Sequence, residues 1–275
     1  MRHSHARIAV FSDMHFMAWQ DTLAPVEWVE QLEADLADTA ALVPQLFVCN
    51  GDLTNGKARD YELAMRTIRR HLPHTPCVFT MGNHEYYGYY EDVPFDWDLA
   101  QHRFLQYTGM PGLHQVQQRF GLTLIFLSTE GYQPDWHDAG FLTQQTLAWF
   151  EAQLHASSPG PVLVWFHQPI DGTVAKSEHT CLVSEALRTI LARRPGTVFI
   201  SGHTHCPMDR DDQFIVDGTT LFVGGGCAFG DAPQSRWIEI ADGTLTFRIR
   251  DHASRSWLAP WTKIARWENG RWHVV

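Results

Sequence analysis

Arg7-Ile8-Ala9-Val10-Phe11-Ser12-Asp13-Met14-His15 runs from an apolar stretch directly into a carboxylate and an imidazole. The arrangement returns twice: Leu46-Phe47-Val48-Cys49 leads to Gly51-Asp52, and Cys77-Val78-Phe79-Thr80 leads to Gly82-Asn83-His84-Glu85. The intervening segments carry a helical period, with Val29, Leu32 and Leu36 at i, i+3 and i+7, followed by a second helical stretch at residues 60–72. A β-α-β-α-β alternation predicts strands joined by crossovers in a covered α/β sheet. Polar residues just past such strands stand where open α/β sheets place their ligands.

The alternation breaks at residues 86–113, where Tyr86, Tyr87, Tyr89 and Tyr90 precede a short helix near residues 97–106. We expect an insertion over the site, with Tyr86 and Tyr87 as substrate contacts. Beyond it, strands at residues 122–127, 162–166 and 197–201 and a helix at 143–154 restore the pattern. The last two of these strands end at His167-Gln168-Pro169 and Gly202-His203-Thr204-His205. From residue 206 the texture changes to short strand-like runs at 213–216, 221–223, 236–240 and 245–250, with Asp217-Gly218 and Asp242-Gly243 as turn signals. These runs are expected to form hairpins completing a second sheet, and the Trp-rich tail to pack on one domain spanning residues 1–275. Trp149 and Trp165 fall in helix and strand patterns and read as core.

Bulk properties exclude several function classes. The chain of 275 residues is 44% hydrophobic and 19% charged, ordinary for a globular protein, and no stretch approaches the roughly 20 apolar residues of a membrane helix. The N-terminus enters an apolar strand without a secretory h-region, so a cytoplasmic location is expected. Five scattered cysteines without Cys-x-x-Cys spacing predict reduced thiols. A formal charge of −10 disfavours nucleic acid as a partner and favours a small substrate. Five of the sixteen histidines lie inside the motifs, and most of the other eleven read as ordinary surface residues.

The motif residues offer oxygen and imidazole donors suited to Mn, Fe or Zn ions. In an extended segment Asp13 and His15 would point the same way and could close on one ion. Asp52 has two carboxylate oxygens and could bridge a pair of ions, while Asn83 adds a neutral carbonyl oxygen. Two divalent ions against two carboxylates leave a positive pocket that attracts phosphate. Such a pair activates water near neutral pH for in-line attack, and His84, beside Asn83, could protonate the leaving alkoxide. Each motif alone is commonplace; their fixed order past strand ends gives the reading its weight.

The ordered set Asp-x-His, Gly-Asp, Gly-Asn-His-Glu, His-x-Pro and Gly-His-x-His resembles the calcineurin-like metallophosphoesterase superfamily over about 190 residues, Asp13 to His205. The resemblance implies a four-layer αββα sandwich of two mixed sheets flanked by helices. It also implies one metal held by Asp13, His15, Asp52 and His205, another by Asp52, Asn83, His167 and His203, and catalysis by His84. Gly51-Asp52-Leu53-Thr54-Asn55 and His167-Gln168-Pro169 look like the branch of class III cyclic nucleotide phosphodiesterases and glycerophosphodiesterases. Asn55 replaces the Asp of many members, and Gln168 replaces a frequent second His. Purple acid phosphatases are also similar but carry a ligating Tyr where this chain has Asn55, so a purple Fe³⁺ centre is not expected. The reading is a dinuclear phosphoesterase, with diesters preferred because no Arg or Lys cluster accompanies the motifs. The alternatives are a phosphomonoesterase, a non-catalytic scaffold of the same fold and, disfavoured by charge, a nuclease.

Overall fold

The computed structural model describes residues 5–18, 26–90, 96–133, 135–228, 230 and 232–275. In chain order the elements are β1 (Ala6–Phe11), α1 (Val26–Ala41), β2 (Leu46–Asn50), α2 (Ala58–His71) and β3 (Cys77–Thr80), then a 3₁₀ turn at His84–Tyr90. There follow α3 (Trp97–Thr108), β4 (Gln115–Arg119), β5 (Leu122–Phe126), α4 (Gln144–Ala156), β6 (Val162–Trp165), α5 (Ser184–Ala192) and β7 (Thr197–Ser201). The rest is β-rich: β8 (Phe214–Asp217), β9 (Thr220–Gly224), β10 (Gln234–Ala241), β11 (Thr244–Asp251), β12 (Ser256–Trp257), β13 (Lys263–Glu268) and β14 (Arg271–Val274).

Two mixed sheets result, ordered β14-β13-β11-β10-β1-β2-β3, with β12 on β11, and β4-β5-β6-β7-β9-β8. The central strands β1-β2-β3 and β5-β6-β7-β9 are parallel and apolar on both faces, as strands covered on both sides must be. Alternation in β1 shows the layering. Ala9 and Phe11 join a core with residues of α1, α2 and α3, whereas Ile8 and Val10 join the core between the sheets. A third core packs the other face of the second sheet on α4 and α5. Trp165, fully buried, stacks on Phe126 at 4.7 Å inside the central layer. The αββα sandwich is therefore the observed fold.

One expectation needs correction. The C-terminal runs do not all complete the second sheet: β8 and β9 do, but β10 pairs antiparallel with the free edge of β1, and β11 to β14 extend the first sheet. Period-two apolar patterning satisfies either sheet equally, so it could not choose between them. Within the stretch read as an insertion over the site, Phe104 and Ala100 of α3 enter the first helical core and Arg103 donates to the Gly56 carbonyl at 2.8 Å. The side chains of Tyr89 and Tyr90, and residues 91–95, lie outside what is described. None of the five cysteines forms a disulfide, and among the described residues no helix is long and apolar enough to cross a membrane.

Candidate metal centre

The five motifs sit at the carboxyl ends of β1, β2, β3, β6 and β7, so both sheets feed one place. Asn50, the last residue of β2, bolts these ends together. Its Nδ2 donates to the carbonyls of Phe166 and Ile200 at 3.3 and 3.2 Å, and its Oδ1 accepts from the Thr80 hydroxyl at 3.2 Å. Its own carbonyl accepts from Ser12 Oγ at 3.1 Å and His167 Nδ1 at 2.7 Å. That last bond puts the His167 proton on Nδ1 and turns the Nε2 lone pair towards the site.

The backbone here is not extended. Asp13, His15, Asp52, His203 and His205 have φ of 56°, 46°, 51°, 69° and 50°, a left-handed conformation that non-glycine residues seldom adopt. Asp13 and His15 thus meet through two left-handed residues flanking Met14, rather than through strand alternation. His203 and His205 repeat the device. Such strain persists only where the surroundings over-determine it, and it gathers at functional sites. Two motif glycines are explained by close approach: a Cβ on Gly82 would lie 2.2 Å from Asp52 Oδ1, and one on Gly202 would lie 1.6 Å from Ser12 Oγ.

Three donor groups converge with ligand atoms within 4.8 Å of one another: Asp13, His15 and His205; Asp52, His167 and His203; and His15, Asp52 and His84. In the first, His205 Nε2 lies 3.2 Å from Asp13 Oδ1 and 3.2 Å from His15 Nε2. In the second, His167 Nε2 lies 3.1 Å from Asp52 Oδ2, and Asn83 Oδ1 lies 3.1 Å from His203 Nδ1. Asp52 belongs to both halves, with Oδ2 also 4.0 Å from His15 Nε2. Asp13 Oδ1 and His167 Nε2 are buried, and neither makes an aligned hydrogen bond. Buried polar atoms without such bonds are costly unless another partner serves them. Their inward aim and the O/N donor chemistry fit a pair of divalent cations.

Electrostatics among the protein groups agree with this fit. Burial opposes ionisation of Asp52, but His167 and His84 hold its carboxyl well below the usual range, and Asp13 is likewise lowered by His167 and His205 against burial. Burial lowers His15 and His203 to about 4, keeping both imidazoles neutral, as ligands must be. His167 and His205 go the other way: burial opposes the charge of His167, yet Asp52 and Asp13 raise it to about 10, and the hydrogen bond to Asp13 raises His205.

His84 stands differently. Its Nδ1 donates to Asn55 Oδ1 at 2.8 Å, its ring meets that of His15 edge-on at 4.4 Å, and its Nε2 stays 3.9 Å from Asp52 Oδ2. Its backbone N–H donates to Asp52 Oδ1 at 2.9 Å, so the residue orients the central carboxylate as well. Tyr87 packs its ring 4.3 Å from that of His84. Tyr86, expected to meet substrate beside Tyr87, does not: it is fully buried and donates to the Thr129 carbonyl at 2.9 Å. Near-threefold winding of a 3₁₀ turn sends neighbouring side chains in different directions.

Sequence reasoning passed over two structural contributors. Asn50 carried a signal, an amide closing an apolar run immediately before Gly51-Asp52. Glu85 had been only a motif letter. Its buried carboxylate accepts from the backbone N–H groups of Asp52, Thr54 and Gly82 at 3.0, 2.9 and 2.8 Å, stitching the second motif to the third. Burial, then the Asp52 charge, raises it to about 7.

Comparison with known proteins agrees with this architecture. The structure aligns with a dimetal phosphatase of Danio rerio at a TM-score of 0.68 and 14% identity, covering 90% of this chain and 96% of that one. It also aligns with the purple acid phosphatase PPD1 of yellow lupin, Lupinus luteus, at 0.62 and 14%, covering 92% of this chain and 52% of that one. At such identities these show the fold alone. In sequence the chain is 27% identical over 214 residues to the glycerophosphodiester phosphodiesterase GpdQ of Enterobacter lignolyticus, covering 72% of this chain and 70% of that protein. The family model for calcineurin-like phosphoesterases matches residues 6–207, a span containing every motif above. The chain belongs to the calcineurin-like phosphoesterase family.

Proposed function

We propose that this protein is a dinuclear metal-dependent phosphodiesterase acting on small phosphodiesters. The observation that carries the reading is that Asp52 forms one donor group with His167 and His203 and lies 4.0 Å from His15 of the group with Asp13 and His205, with His84 held beside them by Asn55. Asp13, His15, Asp52 and His205 would hold one ion, and Asp52, Asn83, His167 and His203 the other; Mn, Fe and Zn all suit these donors. When bound, the ions supply an activated water and positive charge against the phosphoryl oxygens.

The chain's own groups supply the rest. Asn55 Oδ1 can only accept, so it fixes the proton of neutral His84 on Nδ1 and leaves Nε2 as the nitrogen facing the site. In the imidazolium, Nε2 carries the proton needed by the departing alkoxide, which makes His84 the general acid. Asn83 contributes an uncharged oxygen, so the centre keeps a net attraction for an anionic substrate. The ion pairs of Asp13 and Asp52 are all with histidines, without the Arg or Lys that would meet a second phosphate charge. That absence among the described residues, with the sequence similarity to a glycerophosphodiester phosphodiesterase, supports diesters over monoesters.

The test is hydrolysis of aryl phosphate mono- and diesters by protein stripped with chelator and reconstituted with Mn²⁺. Diester turnover that chelator abolishes is expected. Preferred monoester turnover would replace the reading with a phosphatase, and inactivity with every metal would leave a scaffold.

A further inference from the structure

The loop between β5 and α4 brings an acidic residue to the rim of this site. Asp138 is exposed, and its Oδ1 accepts a hydrogen bond from the Tyr87 hydroxyl. Asn83 Nδ2 lies 3.4 Å from both the Tyr87 oxygen and Asp138 Oδ1. Gln168, which stands where a second histidine is frequent, uses its Nε2 twice: it donates to the Asp138 backbone carbonyl at 3.2 Å and to Asn83 Oδ1 at 3.3 Å. The loop is therefore tied to the candidate ligand Asn83, and through the Tyr87 ring to His84. The Asp138 charge also acts on His203. Among the described residues no Lys, Arg or His is ion-paired with it.

A carboxylate so placed weighs substrates by charge. Near neutral pH a phosphate monoester is mostly a dianion, because its second pKa is about 6, while a diester is a monoanion. A neighbouring anion therefore penalises the monoester twice. With charges about 6 Å apart and an effective dielectric near 40, one extra unit of charge corresponds to roughly tenfold discrimination. The alternative, that Asp138 merely caps the Tyr87 hydroxyl, leaves unexplained why Gln168 is spent on anchoring its backbone beside a ligand.

We propose that Asp138, fixed by Tyr87 and Gln168, is a specificity-determining residue that turns phosphate dianions away and admits singly charged diesters. The proposal rests on the metal-site reading above, and its test separates the two. Mn²⁺-loaded wild type, Asp138→Asn and Tyr87→Phe are compared in two ways: calorimetric binding of inorganic phosphate against dimethyl phosphate, and kcat/KM for 4-nitrophenyl phosphate against bis(4-nitrophenyl) phosphate. In Asp138→Asn, both ratios should move about tenfold towards the dianion, with Mn²⁺ stoichiometry unchanged. Tyr87→Phe keeps the charge but releases its aim, so its shift should fall in between. Equal gains for mono- and dianion, or unmoved ratios, overturn the proposal. Loss of a Mn²⁺ ion from Asp138→Asn also overturns it by making the residue a ligand. A wild type that hydrolyses neither ester, yet shows the binding shift in Asp138→Asn, sinks the hydrolase reading and leaves the charge filter standing.

Discussion

Replacing Asn50 by alanine tests whether one amide ties the ends of the two sheets together beneath the site. The substitution removes two donated bonds, to the Phe166 and Ile200 carbonyls, and leaves the buried Thr80 hydroxyl without its acceptor. Two lost bonds at about 1 kcal/mol each, and an orphaned hydroxyl at about 1 kcal/mol or more, give an expected loss of about 3 kcal/mol. Ile200 O keeps its bond from Phe166 N at 3.1 Å, which limits the damage on that side. The contacts made by the Asn50 backbone carbonyl, to Ser12 and to His167 Nδ1, do not depend on the side chain. Metal stoichiometry should therefore survive while stability falls. Urea unfolding of chelator-stripped protein reads the effect, as a lower midpoint with an unchanged slope. Asn50→Asp keeps the acceptor for Thr80 but sets a carboxylate against two carbonyls, and should cost at least as much. A loss below about 1 kcal/mol, or an Asp variant more stable than the Ala variant, would refute the idea that the donated bonds join the sheets.

Further outcomes follow from the same geometry. His84→Ala should retain both metals and lose about 10² to 10⁴ in kcat, most severely for esters with poor leaving groups; equal losses across leaving groups would remove its role as acid. His167 is raised to about 10 in the protein alone and must be neutral to bind a metal, so loading stripped protein at pH 7.5 should release a proton. Calorimetry in buffers of different ionisation enthalpy detects it, and apparent affinity should rise with pH up to that value. Away from the site, Asp38, His252 and Ser235 form a sealed array, with His252 Nδ1 3.0 Å from Asp38 Oδ2 and Nε2 2.8 Å from Ser235 Oγ. Burial lowers His252 to about 4 against Asp38, so between about pH 6.5 and 4 the unfolded chain binds a proton that the folded one refuses. Stability is full above that window and falls as pH drops through it, by up to about 3 kcal/mol, and the matching slope should shrink in His252→Gln unfolding curves.

What the sequence revealed was local. Apolar runs ending in Asp13, Asp52, Asn83 and His167 announce parallel strands and their polar ends, because burial on both faces and ligand placement are recorded within a few residues. Hairpins are equally local. Asp242-Gly243 joins β10 to β11 with φ of 50° and 74°, as a two-residue turn with both residues left-handed requires. The same signal stood unused at Asn269-Gly270, with φ of 53° and 76°, and would have separated β13 from β14. The choice of sheet for β10 depends instead on which strand edge remains free after folding, and no short window of sequence contains that information.

The site shows the same division between local and distant determinants. Its donors are named by motifs, but their arrangement is set by residues that the motifs do not weigh. Glu85 joins two ligand loops through three backbone N–H groups, and Asn50 joins two sheets through one side chain. Both make bonds mainly to backbone, so their partners could have almost any identity and leave no chemical trace in sequence. Asp138 lies further out, on a loop whose shape follows from neither period nor propensity, and its place beside Asn83 depends on Gln168 and Tyr87. The features named by the motifs are thus those dictated at strand ends, while the feature proposed to select substrate is assembled from loops. If that division holds, exchanging residues in the β5–α4 loop should alter which ester is hydrolysed without altering how many metals are bound. A loop variant that loses metal would show instead that rim and centre form one structural unit.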